Sequence, residues 1–265
     1  MTHPALSRRL LAEFLGTALL VTAVVGSGIM ATQLSPNDVG LQLLENSIAT
    51  ALALGALILT FGPVSGAHFN PVVSAADWFL GRRAGTGLTA SQLGGYVLAQ
   101  TMGAIAGSIL ANLMFALPAV DFSGKDRAAG HLWLGEVVAT TGLILLIFAL
   151  ARSGRAPVAP AAVGAYIGAA YWFTSSTSFA NPAVTIGRAF TDTFAGIAPS
   201  SVPTFAIAQV AGLVIGTALL LVLYPGVERA ADHVVVAHDG AEPATDHRVR
   251  TRETILSTSE ESSPS

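Results

Sequence analysis

The chain has 265 residues, 52% hydrophobic and 11% charged, with 13 Lys and Arg against 16 Asp and Glu. Soluble domains carry about 25% charged residues, so these side chains are too few to coat a globule, and the composition defines a polytopic all-α membrane protein. The absence of cysteine excludes a disulfide framework, a thiolate metal site and a thiol nucleophile, and a net charge of −3 gives no case for nucleic acid.

Met1 to Arg9 is a short polar lead. The first apolar span, roughly 10–30, has the length of a signal sequence, but no clear small-residue cleavage site closes it and further spans follow. Five more are predicted at about 46–62, 92–117, 132–150, 157–174 and 203–224, several of them reaching the ~20 residues that cross ~30 Å of hydrocarbon.

Two stretches interrupt this series. Ser65-Gly66-Ala67-His68-Phe69-Asn70-Pro71-Val72-Val73-Ser74 follows the second span, and Ser178-Phe179-Ala180-Asn181-Pro182-Ala183-Val184-Thr185 follows the fifth. Pro71 and Pro182 suit the first turn of a helix, where a missing N–H costs nothing. Asn70 and Asn181 are placed to cap those turns. Each Pro starts only about 10 helical residues, or ~15 Å, which is half a bilayer. The spacing predicts two half-helices entering from opposite sides.

Arg8, Arg9, Arg82, Arg83, Arg152, Arg155 and Arg229 fall on one side of a six-span arrangement, and mainly Lys125 and Arg127 on the other. The positive-inside rule then puts both termini in the cytoplasm, the Asn70 loop inside and the Asn181 loop outside.

The halves repeat. Glu13 opens the first and Glu136 the second; Gln100 precedes Gly103 and Gly107, as Gln209 precedes Gly212 and Gly216. Each half reads Glu, Asn-Pro, Gln, then a small-xxx-small pair of the kind found at close helix crossings. Three spans per half force the halves into inverted orientation, an architecture of transport proteins. The first repeat is placed at about 8–117 and the second at about 130–226, together one domain over 1–226. From 227 to 265 the sequence is polar and Ser/Thr-rich and reads as a disordered cytoplasmic tail. Its His233, His238 and His247 match no metal-ligand spacing, so no metal or cofactor is expected.

Irregular backbone at mid-membrane survives only where it is buried in protein or lines a wet cavity. Half-helices abutting end to end aim two positive dipole ends at the centre, beside the amides of Asn70 and Asn181. Such a site orients neutral hydrogen-bonding solutes and repels protons and cations.

With the Glu and Gln repeats, Gly66-Ala67-His68-Phe69-Asn70-Pro71 and Phe179-Ala180-Asn181-Pro182-Ala183 resemble the major intrinsic protein family of aquaporins and aquaglyceroporins, over about residues 8–226. The resemblance implies an aquaporin-like inverted repeat of six transmembrane helices with two half-helices meeting at the midplane, one pore per subunit, and a homotetramer in the lipid bilayer. It carries the pore signature onto Asn70, Pro71, Val72, Asn181, Pro182 and Ala183. It implies that Glu13 and Glu136 buttress the signature loops; for His68, fixing loop geometry is favoured over gating or pH sensing.

Two positions depart from the family. The first signature reads Asn-Pro-Val, at Val72. An Arg follows the second Asn-Pro-Ala in most relatives, and here that position is Val184; Arg188 stands four residues on, where a structural or loop-pairing role is favoured over a pore-facing one. Counting back from the signature Asn residues completes an inferred selectivity ring of Thr50, Ala169, Ser178 and Val184. Small residues there imply a wide, uncharged opening and larger neutral solutes in addition to water. The run Trp172 to Thr185 resembles a bacterial subgroup associated with arsenic-resistance operons, which implies an inner (plasma) membrane setting and adds neutral As(OH)3 to the candidate solutes.

The expected function is a passive channel for water and small uncharged solutes, and no enzyme. Three alternatives stand beside it: a water-selective aquaporin, a secondary transporter coupling protons through Glu13 and Glu136, and a scaffold acting through its tail.

Overall fold

The computed structural model describes residues 4–82 and 84–227. Most of the 227–265 tail, together with Arg83 and Arg229, therefore lies outside the described residues. Eight α-helices and no strands occur among those described: α1 (Leu6–Leu34), α2 (Val39–Ser65), α3 (Pro71–Gly81), α4 (Ala90–Met114), α5 (Gly130–Arg152), α6 (Ala159–Phe173), α7 (Pro182–Gly187) and α8 (Val202–Leu223).

Local chemistry sets the boundaries. Asp38 caps α2 by accepting from the Leu41 N–H at 2.9 Å, and Thr89 with Gln92 forms a reciprocal capping box on α4. At its other end α2 stops at Gly66, whose φ of +86° favours glycine. Asn70 and Asn181 cap α3 and α7, each with Pro in the first turn.

Five helices are long and apolar enough to cross a membrane. The sixth span is α6, whose 15 residues reach only ~23 Å. A 3-10 turn at Ala156–Val158 precedes it and lengthens the span. Large apolar side chains such as Leu52, Leu98, Leu134 and Val222 are exposed on the outer helix faces, as expected of spans that face lipid or a neighbouring subunit.

The half-helices are unequal. α3 has 11 residues, close to expectation, whereas α7 has six and tightens into a 3-10 turn at Arg188–Phe190. The cause is competition for its last carbonyls. Ala189 O accepts from Ser123 N at 3.1 Å and Phe190 O from Asp121 N at 3.2 Å, so the loop between α4 and α5 takes acceptors that a longer helix would use. Asn112 Nδ2 also donates to Phe190 O, and Thr191 Oγ1 to Asn112 Oδ1.

Helix crossings follow the repeat. A Cβ on Gly103 or Gly107 of α4 would lie 2.4 Å from Phe14 O or 2.2 Å from Ala18 O of α1. In the second half, Gly212 and Gly216 of α8 approach Val137 O and Thr141 O of α5 at 2.7 and 3.0 Å by the same measure. The backbones touch because those side chains are absent, and the two crossings use equivalent residues. The halves also meet directly, where Gly164 of α6 packs on the Ala51 carbonyl of α2.

Candidate functional site

The two signature loops are built alike. Glu13, fully buried in α1, accepts from His68 N at 3.0 Å and Phe69 N at 2.7 Å. Ser65 Oγ at 2.6 Å and Gln100 Nε2 at 2.8 Å complete its shell. Glu136 in α5 does the same for Phe179 N and Ala180 N, both at 2.8 Å, with Gln209 Nε2 at 2.6 Å. The two Gln side chains then reach their half-helices, Gln100 at Ser74 Oγ and Gln209 at Thr185 Oγ1.

This anchoring explains an otherwise costly backbone. Ala67 and Phe69 have φ of 50°, and Ser178 and Ala180 have φ of 49° and 47°, in the left-handed region that non-glycine residues avoid. Amide N–H and C=O point in opposite directions across a trans peptide. With the His68, Phe69, Phe179 and Ala180 N–H groups turned onto the carboxylates, the carbonyls of Ala67, His68, Ser178 and Phe179 turn the other way. These residues line a central cavity of about 60 Å³ open to water centres, and ~10–15 Å³ by that measure holds one water.

Asn70 and Asn181 join the half-helices at its middle. Each caps its own helix through Oδ1, leaving Nδ2 to cross over: Asn70 donates to Ala180 O at 2.8 Å and Asn181 to Phe69 O at 2.7 Å. Both Asn residues line the cavity, with both helix N-termini converging there. Val72 and Ala183 are buried in the first turns behind them, outside the lining. His68 lines the cavity with Nδ1 3.0 Å from Ser74 Oγ and its ring tilted against Tyr96.

Three members of the expected ring, Thr50, Ser178 and Val184, line this cavity. Ala169 does not. It is exposed on the far side of α6, because it sits two residues, or ~200°, from both Ile167 and Tyr171, which do line the cavity. Tyr171 was not among the expected residues; its hydroxyl lies 3.2 Å from Thr50 Oγ1. The spacing 163, 167, 171 on one helical stripe is the signal that finds it.

Arg188 combines a loop contact with a place in the lining. Its guanidinium carbon lies 3.4 Å from the Phe179 ring centroid, Nε donates to Ala195 O, and the side chain borders the cavity. Arg127, from the loop between α4 and α5, also stacks on Phe179, at 4.9 Å, and donates to Gly196 O and Ser176 O.

Lys125, the chain's single lysine, lies in the same loop and donates to Phe194 O at 3.0 Å. Partial burial, with Arg127 and Arg188 nearby, brings its ammonium down to about 8. Because this folded value lies below that of a free lysine, protonation opposes the fold. The group's stabilising contribution is present above ~10.4 and is lost as pH falls toward 8. Amine acylation followed by peptide mass spectrometry should therefore show half-maximal Lys125 labelling near pH 8; a midpoint near ~10.4 would contradict this environment.

The cavity is thus lined by α1, α2, α5, α6 and the two signature loops with their half-helices, with the crossed asparagines at its middle and the buried carboxylates behind it, the arrangement of a multi-pass membrane channel. The chain matches the Major intrinsic protein family over residues 1–178 and belongs to it. It is 53% identical over 215 residues to the aquaglyceroporin AqpS of Rhizobium meliloti (strain 1021), covering 81% of this chain and 89% of that protein. It is 32% identical over 227 residues to a glycerol uptake facilitator protein of Pseudomonas aeruginosa, covering 74% of this chain and 78% of that one. The crystal structure of the aquaglyceroporin from Plasmodium falciparum shares the fold, with a TM-score of 0.61 at 20% identity over 86% of this chain and 99% of that chain. The protein is a passive channel, not an enzyme.

Proposed function

We propose that this channel passes water and small uncharged solutes of glycerol size, with neutral metalloid acids such as As(OH)3 among them. The observation that carries this is Val184, a neutral side chain lining the cavity directly after Asn181-Pro182-Ala183. With Thr50, Ser178 and Tyr171 it forms the ring we assign as the selectivity region, Tyr171 taking the place first given to Ala169. The names of the relatives, an aquaglyceroporin and a glycerol uptake facilitator, support polyol-sized cargo. The Trp172 to Thr185 run supports the arsenical. We further read the chain as a homotetramer in the inner (plasma) membrane with both termini cytoplasmic, on the family resemblance and the distribution of Arg.

Stopped-flow light scattering on proteoliposomes tests this with water, glycerol and As(OH)3, with and without a pH gradient. Gradient-independent flux of either larger solute is the expected result. Fast water with no larger solute would return the water-selective alternative. Gradient-dependent, saturating flux would return the coupled transporter, which the placement of Glu13 and Glu136 behind the loops disfavours. Val184→Arg should lower glycerol flux relative to water by about an order of magnitude, since its longer side chain narrows the opening beside Arg188. An unchanged glycerol-to-water ratio would remove Val184 from the selectivity region.

A further inference from the structure

Val184 leaves the second half-helix without a cation directly after its signature, yet a guanidinium reaches the same cavity from one turn further on. Positions 184 and 188 are four apart, so they share a helical face. Arg188 is 3% exposed and lines the cavity with Val184 and Ser178. The 3-10 turn that ends α7 starts at Arg188, and the side chain lies against the Phe179 ring, with Nε held by the Ala195 carbonyl. Phe179 is itself fixed through its N–H on Glu136.

These contacts use one edge and one face of the guanidinium. Its two Nη groups have no hydrogen-bond acceptor and no paired carboxylate among the described residues. Burying such donors is costly unless their N–H groups reach water or another acceptor. The cavity supplies that acceptor. A second polar group in the lining, Ser178 Oγ, is also buried without a protein partner.

We propose that Arg188 is a specificity-determining residue of this pore: its Nη groups donate to the oxygen atoms of passing hydroxylated solutes, and its charge repels cations, from a position one turn beyond Val184. The lining is then amphipathic, with Val184 and Ile167 facing the carbon skeleton of a polyol and Arg188 its hydroxyl oxygens. This rests on the reading of the chain as a neutral-solute channel, and it replaces the uncharged opening expected from the ring residues alone.

The lack of native cysteine makes Arg188→Cys a clean test. In proteoliposomes, R188C should lose about tenfold in glycerol flux, the scale of one charge-assisted hydrogen bond, and gain a proton leak read with a pH-sensitive dye. Modification with a positively charged methanethiosulfonate should reverse the leak; a negatively charged one should not. Folded R188C with wild-type glycerol flux and no leak, or with the same response to both reagents, would leave Arg188 as a loop pin and overturn the proposal. Should R188C not fold, Arg188→Lys keeps the charge and loses the fork. It should retain proton exclusion with reduced glycerol flux, and unchanged glycerol flux would overturn the donor role. Wild-type protein is the control for the underlying reading. If wild type passes water but no glycerol, the neutral-solute reading fails, while a leak in R188C still supports the cationic role.

Discussion

Replacing Glu136 with Leu is expected to abolish recovery of folded, monodisperse protein from detergent-solubilised membranes. Two buried backbone donors, Phe179 N and Ala180 N, would lose their only acceptor, and Gln209 Nε2 would keep Thr185 Oγ1 alone. At ~1–3 kcal/mol for each unsatisfied buried group, these two alone cost ~2–6 kcal/mol, a large share of the whole stability of a typical domain. The same bonds hold Ser178 and Ala180 at positive φ, so the strain of those conformations is no longer opposed. Glu136→Gln keeps one carbonyl oxygen for the loop and should fold with a lower Tm. Its solute flux should stay independent of a pH gradient, because the carboxylate works by accepting hydrogen bonds. Normal folding of E136L, by size-exclusion profile and thermal unfolding, would mean that something else holds the second loop. Wild-type flux that follows the gradient, and loses that dependence in E136Q, would make Glu136 a proton carrier.

Much of this arrangement was legible in the sequence because it occurs twice. Glu13, Asn70 and Gln100 carry little meaning singly, but Glu136, Asn181 and Gln209 repeat their order, and only an inverted pair of half-helices uses all six. The ring was read less well, for a geometric reason. Counting twelve back from Asn181 to Ala169 crosses a loop in which Thr177, Ser178 and Ala180 are all left-handed, where residue number does not track rotation about an axis. Counting from within α6, along Val163, Ile167 and Tyr171, preserves the phase. Arg188 was legible as standing four residues after Val184, and a loop-pairing role was the favoured reading; the structure gives it both the loop contact and a place in the lining. What the sequence could not show is that α7 would stop at Gly187 and bring the guanidinium over Phe179, since that depends on carbonyls claimed by a loop about seventy residues earlier in the chain.

The Gly107 crossing should be nearly as intolerant as the Glu136 shell, and a second glycine on α4 supplies its control. A Cβ at Gly107 would sit 2.2 Å from the Ala18 carbonyl and 3.0 Å from Val21 Cβ, whereas one at Gly94 would meet nothing within 4 Å. Backbone cannot swing aside as the end of a flexible side chain can, so Gly107→Ala must push α4 off α1. Overpacking of this kind costs about 1–3 kcal/mol and sometimes more. Here the displacement also pulls on Gln100, two turns away on α4, which donates to Glu13 and Ser74. Separating the helices therefore loosens the first signature loop as well as the interface. Gly94→Ala on the same helix should be neutral or slightly stabilising, because alanine is the better helix former by ~1 kcal/mol. The expected result is a large drop in Tm and in solute flux for G107A, with wild-type values for G94A. Equal behaviour of the two variants would mean that the α1–α4 backbone contact does not hold the pore together, and that the small residues at 103 and 107 serve another purpose.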